Sequence, residues 1–218
     1  MKYKKTAGLV PAALLAAVLL AGCGVNQLPD PMFTVTGVDL RLAMREMWDS
    51  YATWTQLYVA DVFAGMPEAA DAASNRLTQN MDDIANRLKT YYGEDAGSQL
   101  AVLLRDHIGA MTGFVAAAPL GDSTQQAVAL DQWNASTDSI AGFLAGVNPN
   151  WSRETLSDLL GQLANLTSDE VLVRMDKKYE ADVKDGDAMH LQARRIADEM
   201  SAGIIRQFPT NFQRVKVQ

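Results

Sequence analysis

From Thr36 onward, apolar residues return at intervals of three and four, and no stretch of five or more alternates convincingly at two around turn signals. Leu77, Ile84 and Leu88 fall on one stripe, and Leu100, Leu103, Met111 and Phe114 on another. Spacing of this kind puts an apolar face on a helix and excludes half-buried strands. The breaks are regular as well. Thr36 with Asp39 reads as an N-cap pair opening a helix over 38–64, which Gly65-Met66-Pro67 ends. Pro67 suits a first helical position, and Gly93 closes the second helix at residue 92. A third helix runs over 95–118 to Pro119, and a fourth over 122–146. Asn148-Pro149-Asn150-Trp151 is a turn, and Ser152 caps a fifth helix. The fifth is expected to continue through Glu170 to about residue 184, with a break at Thr167 as the alternative, since Thr167 and Glu170 spell a capping box. Asp185-Gly186-Asp187 is the next turn signal, and a last helix ends at Phe208-Pro209. The expectation is an all-α antiparallel bundle of about six helices over 37–209, with a tail over 210–218.

A shift of 56 residues lays the second and third helices on the fourth and fifth. Asp82, Ile84, Ala85, Leu88, Leu100, Leu103 and Leu104 fall on Asp138, Ile140, Ala141, Leu144, Leu156, Leu159 and Leu160, and Gly93 falls on Pro149. The pattern reads as a duplicated helical hairpin.

Polar groups interrupt the apolar stripes. Asn80 sits between Leu77 and Ile84, and His107 between Leu103 and Met111, so both face inward. Counting outward from the turns brings Tyr51 to the same level, with Asp83 one helical step from Asn80. One reading is a metal or small-ligand site, with His107 and Asp83 as ligands and Asn80 and Tyr51 behind them. The other is a hydrogen-bonded layer that fixes helix register. A second, weaker constellation joins Asp182, Asp185, Asp187 and His190, the last two at Asp-x-x-His spacing. Read alone, Asp187 is a carboxylate near a helix start and His190 a surface histidine. Trp48, Trp54, Trp133 and Trp151 read as core or turn anchors, and the ten methionines as core filling.

The chain opens MKYKKTAGLVPAALLAAVLLAGC. Lys2, Lys4 and Lys5 form a charged head, and the apolar run that follows is too short for a comfortable membrane span. The small residues of Leu20-Ala21-Gly22-Cys23 resemble the lipobox of bacterial lipoproteins. The resemblance implies removal of residues 1–22 and lipidation of Cys23, the only cysteine; the alternative is an ordinary signal peptide with an incidental thiol. Acyl chains contribute about 0.8 kcal/mol per buried CH₂, so two or more hold a protein at a bilayer. Gly24 stands where an aspartate tends to signal inner-membrane retention, which implies the outer membrane in a Gram-negative host and the outer face of the plasma membrane otherwise. Residues 23–36, with Pro29 and Pro31, read as the lipidated cysteine and an extended tether.

Three of the 19 basic residues fall within 1–22, leaving 16 against 26 acidic residues in the remainder. That balance argues against nucleic acid, whose binding needs a basic face. One cysteine excludes disulfide or CxxC chemistry within the chain. Neither a GxSxG elbow nor a glycine-rich phosphate loop occurs, and the Glu-x-x-His pair of di-iron bundles fails at Leu104 and His107.

Met47-Trp48 with Trp54-Thr55, NMDDIA at 80–85, YGEDAG at 92–97, IAGFLAGVNPNW at 140–151 and GIIRQFP at 203–209 resemble a family of uncharacterised bacterial helical proteins over most of the chain. The resemblance implies architecture and no activity. It also implies histidines in relatives where this chain has Tyr51 and Leu163, with His107 as the middle member of three. The sequence leads to a lipid-anchored envelope bundle that binds, senses or supports and leans away from enzymes. It touches the membrane through its lipid and is open to an envelope protein partner. No cofactor is required, though a divalent metal is admissible. The alternative is a metal- or ligand-binding protein, even a metal-dependent enzyme, centred on His107.

Overall fold

The computed structural model describes residues 30–213. These form α1 (Val35–Phe63), α2 (Pro67–Tyr92), α3 (Glu94–Ala117), α4 (Ser123–Val147), α5 (Arg153–Met175), α6 (Tyr179–Gln207) and the short α7 (Pro209–Phe212), after a 3-10 turn at Pro31–Phe33. No strand occurs among the described residues. The chain is an all-α bundle, as the period of its apolar residues dictates.

Each long helix packs against the next in sequence, and α6 packs back on α1. The six therefore close into an antiparallel ring. Its axis is filled by Trp48, Leu104 and Leu160, by Ile84, Ile140 and Ile196, and by Leu100, Leu144, Leu156 and Met200. The space left between them is only about 10 Å³, room for a single water molecule at most. By length and composition α3 alone among the described helices could cross a membrane, yet 56% of its most apolar stretch is buried in this ring.

The duplication read from the sequence is one part of a triplication. The hairpins α1–α2, α3–α4 and α5–α6 repeat at 56 residues. Their second helices begin at Pro67, Ser123 and Tyr179. The residues with left-handed backbone in the three turns are Gly65, Gly121 and Lys177, at φ 68°, 69° and 58°. The same backbone bond closes each turn, from the N–H of Met66, Asp122 and Lys178 to the C=O of Asp61, Ala117 and Val173, at 2.9, 3.3 and 2.8 Å. This is the six-to-one bond of a helix C-terminus with a left-handed residue. Val59, Val115 and Val171 are fully buried at equivalent positions, as are Ala85, Ala141 and Ala197.

Four boundaries differ from the sequence expectation. Thr34, whose hydroxyl accepts from the Gly37 N–H, caps α1 two residues before Thr36. Residues 30–36 are no free tether in their last part, because Met32 packs on the core and the Thr36 hydroxyl donates to the Phe212 carbonyl. The fifth helix stops at Met175, and Asp185-Gly186-Asp187 lies inside α6. Gly186 serves close packing there, since a Cβ would stand 2.0 Å from the Gln56 side-chain nitrogen. The tail begins as α7 and seals the ring with buried Phe212, 5.9 Å from the Tyr91 ring.

Candidate functional site: a cleft between α1, α5 and α6

The two polar constellations read from the sequence fare differently. His107 is buried on α3 and turns to α4, within its own hairpin. The Trp133 indole N–H donates to Nε2 at 3.0 Å, and Nδ1 lies 2.9 Å from the Ser136 hydroxyl. An acceptor Nε2 leaves the proton on Nδ1, so His107 is neutral and donates to Ser136. Burial pushes its pKa down to about 4. Asn80 stays within the first hairpin, its side-chain N–H donating to the Met47 carbonyl at 3.1 Å. Gln192 makes the equivalent bond in the third, to the Leu159 carbonyl at 2.8 Å. Ser136 is the middle member of that series. Tyr51 is buried, its hydroxyl without a partner and its pKa pushed up to about 12 by desolvation.

No hydrogen bond joins any two of Tyr51, Asn80, Asp83 and His107: the bonds of Asn80 and His107 run within their own hairpins. Both nitrogens of His107 are taken, and Asp83 is 58% exposed and paired with Arg76 at 3.8 Å. The expected grouping of His107 and Asp83 as ligands is corrected accordingly: Asp83 falls on the outer face of α2. Among the described residues no three His, Asp, Glu or Cys side chains come together as a metal set.

Three of the four residues of the weaker constellation share one cleft, and Asp185 is not among those lining it. Asp182, Asp187 and His190 line a cleft of about 460 Å³ with Glu170 and Arg174 of α5 and Thr53, Gln56, Leu57 and Ala60 of α1. The α6 residues lie on one face of that helix, and those of α1 at three- and four-residue spacing. His190 is held from outside by Asp49, which it meets at 3.2 Å and which also pairs with Arg194 at 2.9 Å.

Glu170 was legible only as part of a capping box and proves to be the central group. Its side chain is 1% exposed. Oε1 lies 3.5 Å from Arg174 Nε, while Oε2 has no hydrogen-bond partner. Arg174 Nη2 reaches Asp182 Oδ2 at 2.8 Å, and Asp182 Oδ1 is again buried without a partner. Burial, opposed by Arg174 and assisted by Asp182 and Asp185, pushes the Glu170 pKa up to about 7.

The repeat explains where the cleft comes from. The positions equivalent to Glu170 hold Tyr58 and Phe114, each 6% exposed. Tyr58 reaches across to α3 and donates to the Thr112 carbonyl at 3.0 Å. Thr112 is the equivalent of Gln56, so Glu170 points at the matching place on α1 with a shorter side chain. Arg174 replaces Val62 and Ala118, and Asp182 replaces Ala70 and Gln126. The third hairpin thus carries an ionic triad at positions that are mostly apolar in the other two. A buried, imperfectly bonded triad costs stability relative to apolar packing, which is the pattern expected of a site kept for binding.

No protein-family model matches the chain, and no curated protein or solved structure is significantly similar to it.

Proposed function

We propose that this protein is a lipid-anchored binding module of the bacterial cell envelope, and that its ligand enters the cleft between α1, α5 and α6. One observation carries the binding reading: Glu170 is a buried carboxylate with an unpartnered oxygen, in an open cleft, where the sister hairpins have aromatic rings. An unpaired buried acceptor costs free energy that a ligand donor would recover. The volume falls within the range of small-molecule sites.

The anchor reading rests on the lipobox-like sequence ending at Cys23, which lies outside the described residues. The described chain starts at the end of the ring opposite the cleft. Ala60 lies 25 residues beyond Val35 along α1, about 38 Å by helical rise. The test is fractionation of cells expressing the full chain or Cys23→Ser, with mass spectrometry of the N-terminal peptide. An acylated Cys23 peptide in the membrane fraction, lost in the variant, supports the anchor. A mature chain that begins elsewhere and stays soluble contradicts it.

A further inference from the structure

We propose that the cleft is a receptor for an aliphatic diamine, one ammonium group bonded by Glu170 and Asp182 and the other by Asp187. The proposal rests on the reading of the cleft as a ligand site and names the ligand's chemistry.

The unpartnered buried atoms of the two carboxylates are both acceptors, Glu170 Oε2 and Asp182 Oδ1. They call for a donor. An ammonium group has three donors and no acceptor, so it satisfies both acceptors and keeps its third N–H for the open side of the cleft. Arg174 Nε is the one unpartnered buried donor beside them, so two acceptors stand against one donor and an anion would answer the smaller need. Charge points the same way. Glu170, Asp182 and Asp187 face the cleft against Arg174, whose charge is already divided between the first two. Glu170, Asp182, Asp187 and His190 all line the cleft, yet among the described residues no three acidic or histidine side chains are grouped closely enough to hold a divalent metal ion.

The walls fit an aliphatic stem. Leu57 and Val183 are exposed on either side, with Ala60 between Leu57 and the Arg174 end. Apolar side chains open to solvent beside a charged floor suit a chain of methylene groups carrying charge at its ends. Asp187 lies five residues beyond Asp182, a rise of about 7.5 Å along α6 and about 140° around it, so the two carboxylates line the cleft from opposite edges of the helix face. The axial part of that separation is comparable to the distance between the nitrogens of butane-1,4-diamine in its extended form. Asp187 is exposed and makes no ion pair among the described residues.

Binding is coupled to protons. Arg174 on its own helix and Asp182 and Asp185 on α6 act on Glu170, Asp187 and His190 line the same cleft, and the α1 residues lining it carry no titratable group. An arriving ammonium favours the ionised carboxylate, so affinity rises between pH 6 and pH 8 and a proton is released on binding below pH 7.

The experiment is titration calorimetry on the mature full-length protein at pH 8 in 150 mM salt, with butane-1,4-diamine, butylamine, butyrate and calcium as probes. Amide NMR signals of Gln56 and Gly186 report on the cleft. The diamine is expected to bind at one to one and at least fivefold more tightly than butylamine, and butyrate not to bind. Glu170→Gln, nearly isosteric and checked for an unchanged fold by circular dichroism, should weaken the diamine at least tenfold. Asp187→Asn, on the surface, should reduce it to the level of butylamine. Diamine binding of equal strength in Glu170→Gln overturns the proposal. Binding of butyrate or calcium at Gln56 and Gly186 without amine binding overturns it too, while leaving the cleft a ligand site. Silence of those signals toward every probe overturns both the diamine and the cleft.

Discussion

Lys177 stands 56 residues after Gly121 at the same point of the same helix-ending turn, with φ 58° against 69°. Left-handed backbone costs a side-chain-bearing residue about 1 kcal/mol or more. The third hairpin accepts this strain where the other two use glycine. Lys177→Gly should therefore stabilise the protein by about 0.5–1 kcal/mol, the gain being reduced by the greater freedom of glycine in the unfolded chain. Gly121→Ala should cost about 1 kcal/mol. Urea denaturation of both variants checks the pair, and a loss of stability in Lys177→Gly would show that the lysine side chain makes up for its backbone.

His107 accounts for the indole N–H of Trp133, which is fully buried. Removing the imidazole leaves that donor unpaired and opens a cavity. His107→Ala should cost about 2–4 kcal/mol. The folded-state pKa of about 4 lies below the ordinary 6.5, so the unfolded chain binds more protons between them. Stability tied to neutral His107 is complete above pH 6.5 and is lost as the pH falls through 4. Denaturant midpoints of wild type and His107→Ala, compared at pH 7.5 and pH 4.5, should converge toward acid; a constant difference would mean that the ring is not held neutral.

Glu170 has the opposite sign. Its folded pKa of about 7 lies above the ordinary 4.5, so the folded chain binds more protons in that window and stability falls as pH rises through it. The displacement corresponds to on the order of 3 kcal/mol. Glu170→Gln should match wild type near pH 4.5 and exceed it at pH 8. The same melting series measures this, and equal stability at pH 8 would place the carboxylate in a better-bonded setting than the one described.

Gly203 lies against Trp151, where a Cβ would come within 1.9 Å of the indole nitrogen. That nitrogen donates to the Glu199 carbonyl at 3.2 Å. Gly203→Ala should force the ring away, break the bond and cost about 2–3 kcal/mol. Thermal melting followed by tryptophan fluorescence reads both effects, and an unchanged melting temperature would show that the ring moves freely.

The helices and most of their ends were legible in the sequence, because glycine, proline and apolar spacing act locally. Of the four boundaries that differ, the one between α5 and α6 was hidden by two residues. Lys177 takes a glycine's place in the α5–α6 turn, so the turn lacks its usual mark. Gly186 sits in mid-helix for close packing on Gln56, so it resembles a turn that does not exist. The shift of 56 residues was visible, and Ile196, Ala197 and Val171 could have extended it to a third hairpin. Knowing the triplication would have shown Glu170 standing where Tyr58 and Phe114 stand. Level in the ring was legible for Tyr51, Asn80 and His107, but direction was not. Helical counting gives height along a bundle and leaves open which neighbour a side chain turns to.

The central claim is that the Glu170–Arg174–Asp182 triad is kept for binding and not for stability. Returning it to sister residues tests this directly, with Glu170→Phe and Arg174→Ala taken from the second hairpin and Asp182→Ala from the first. Chemical denaturation of that triple variant at pH 8 should show a stability gain on the order of 1–4 kcal/mol, as when buried ionic triads give way to apolar packing. A loss of stability of similar size would contradict the account and make the triad the clasp that holds α5 to α6.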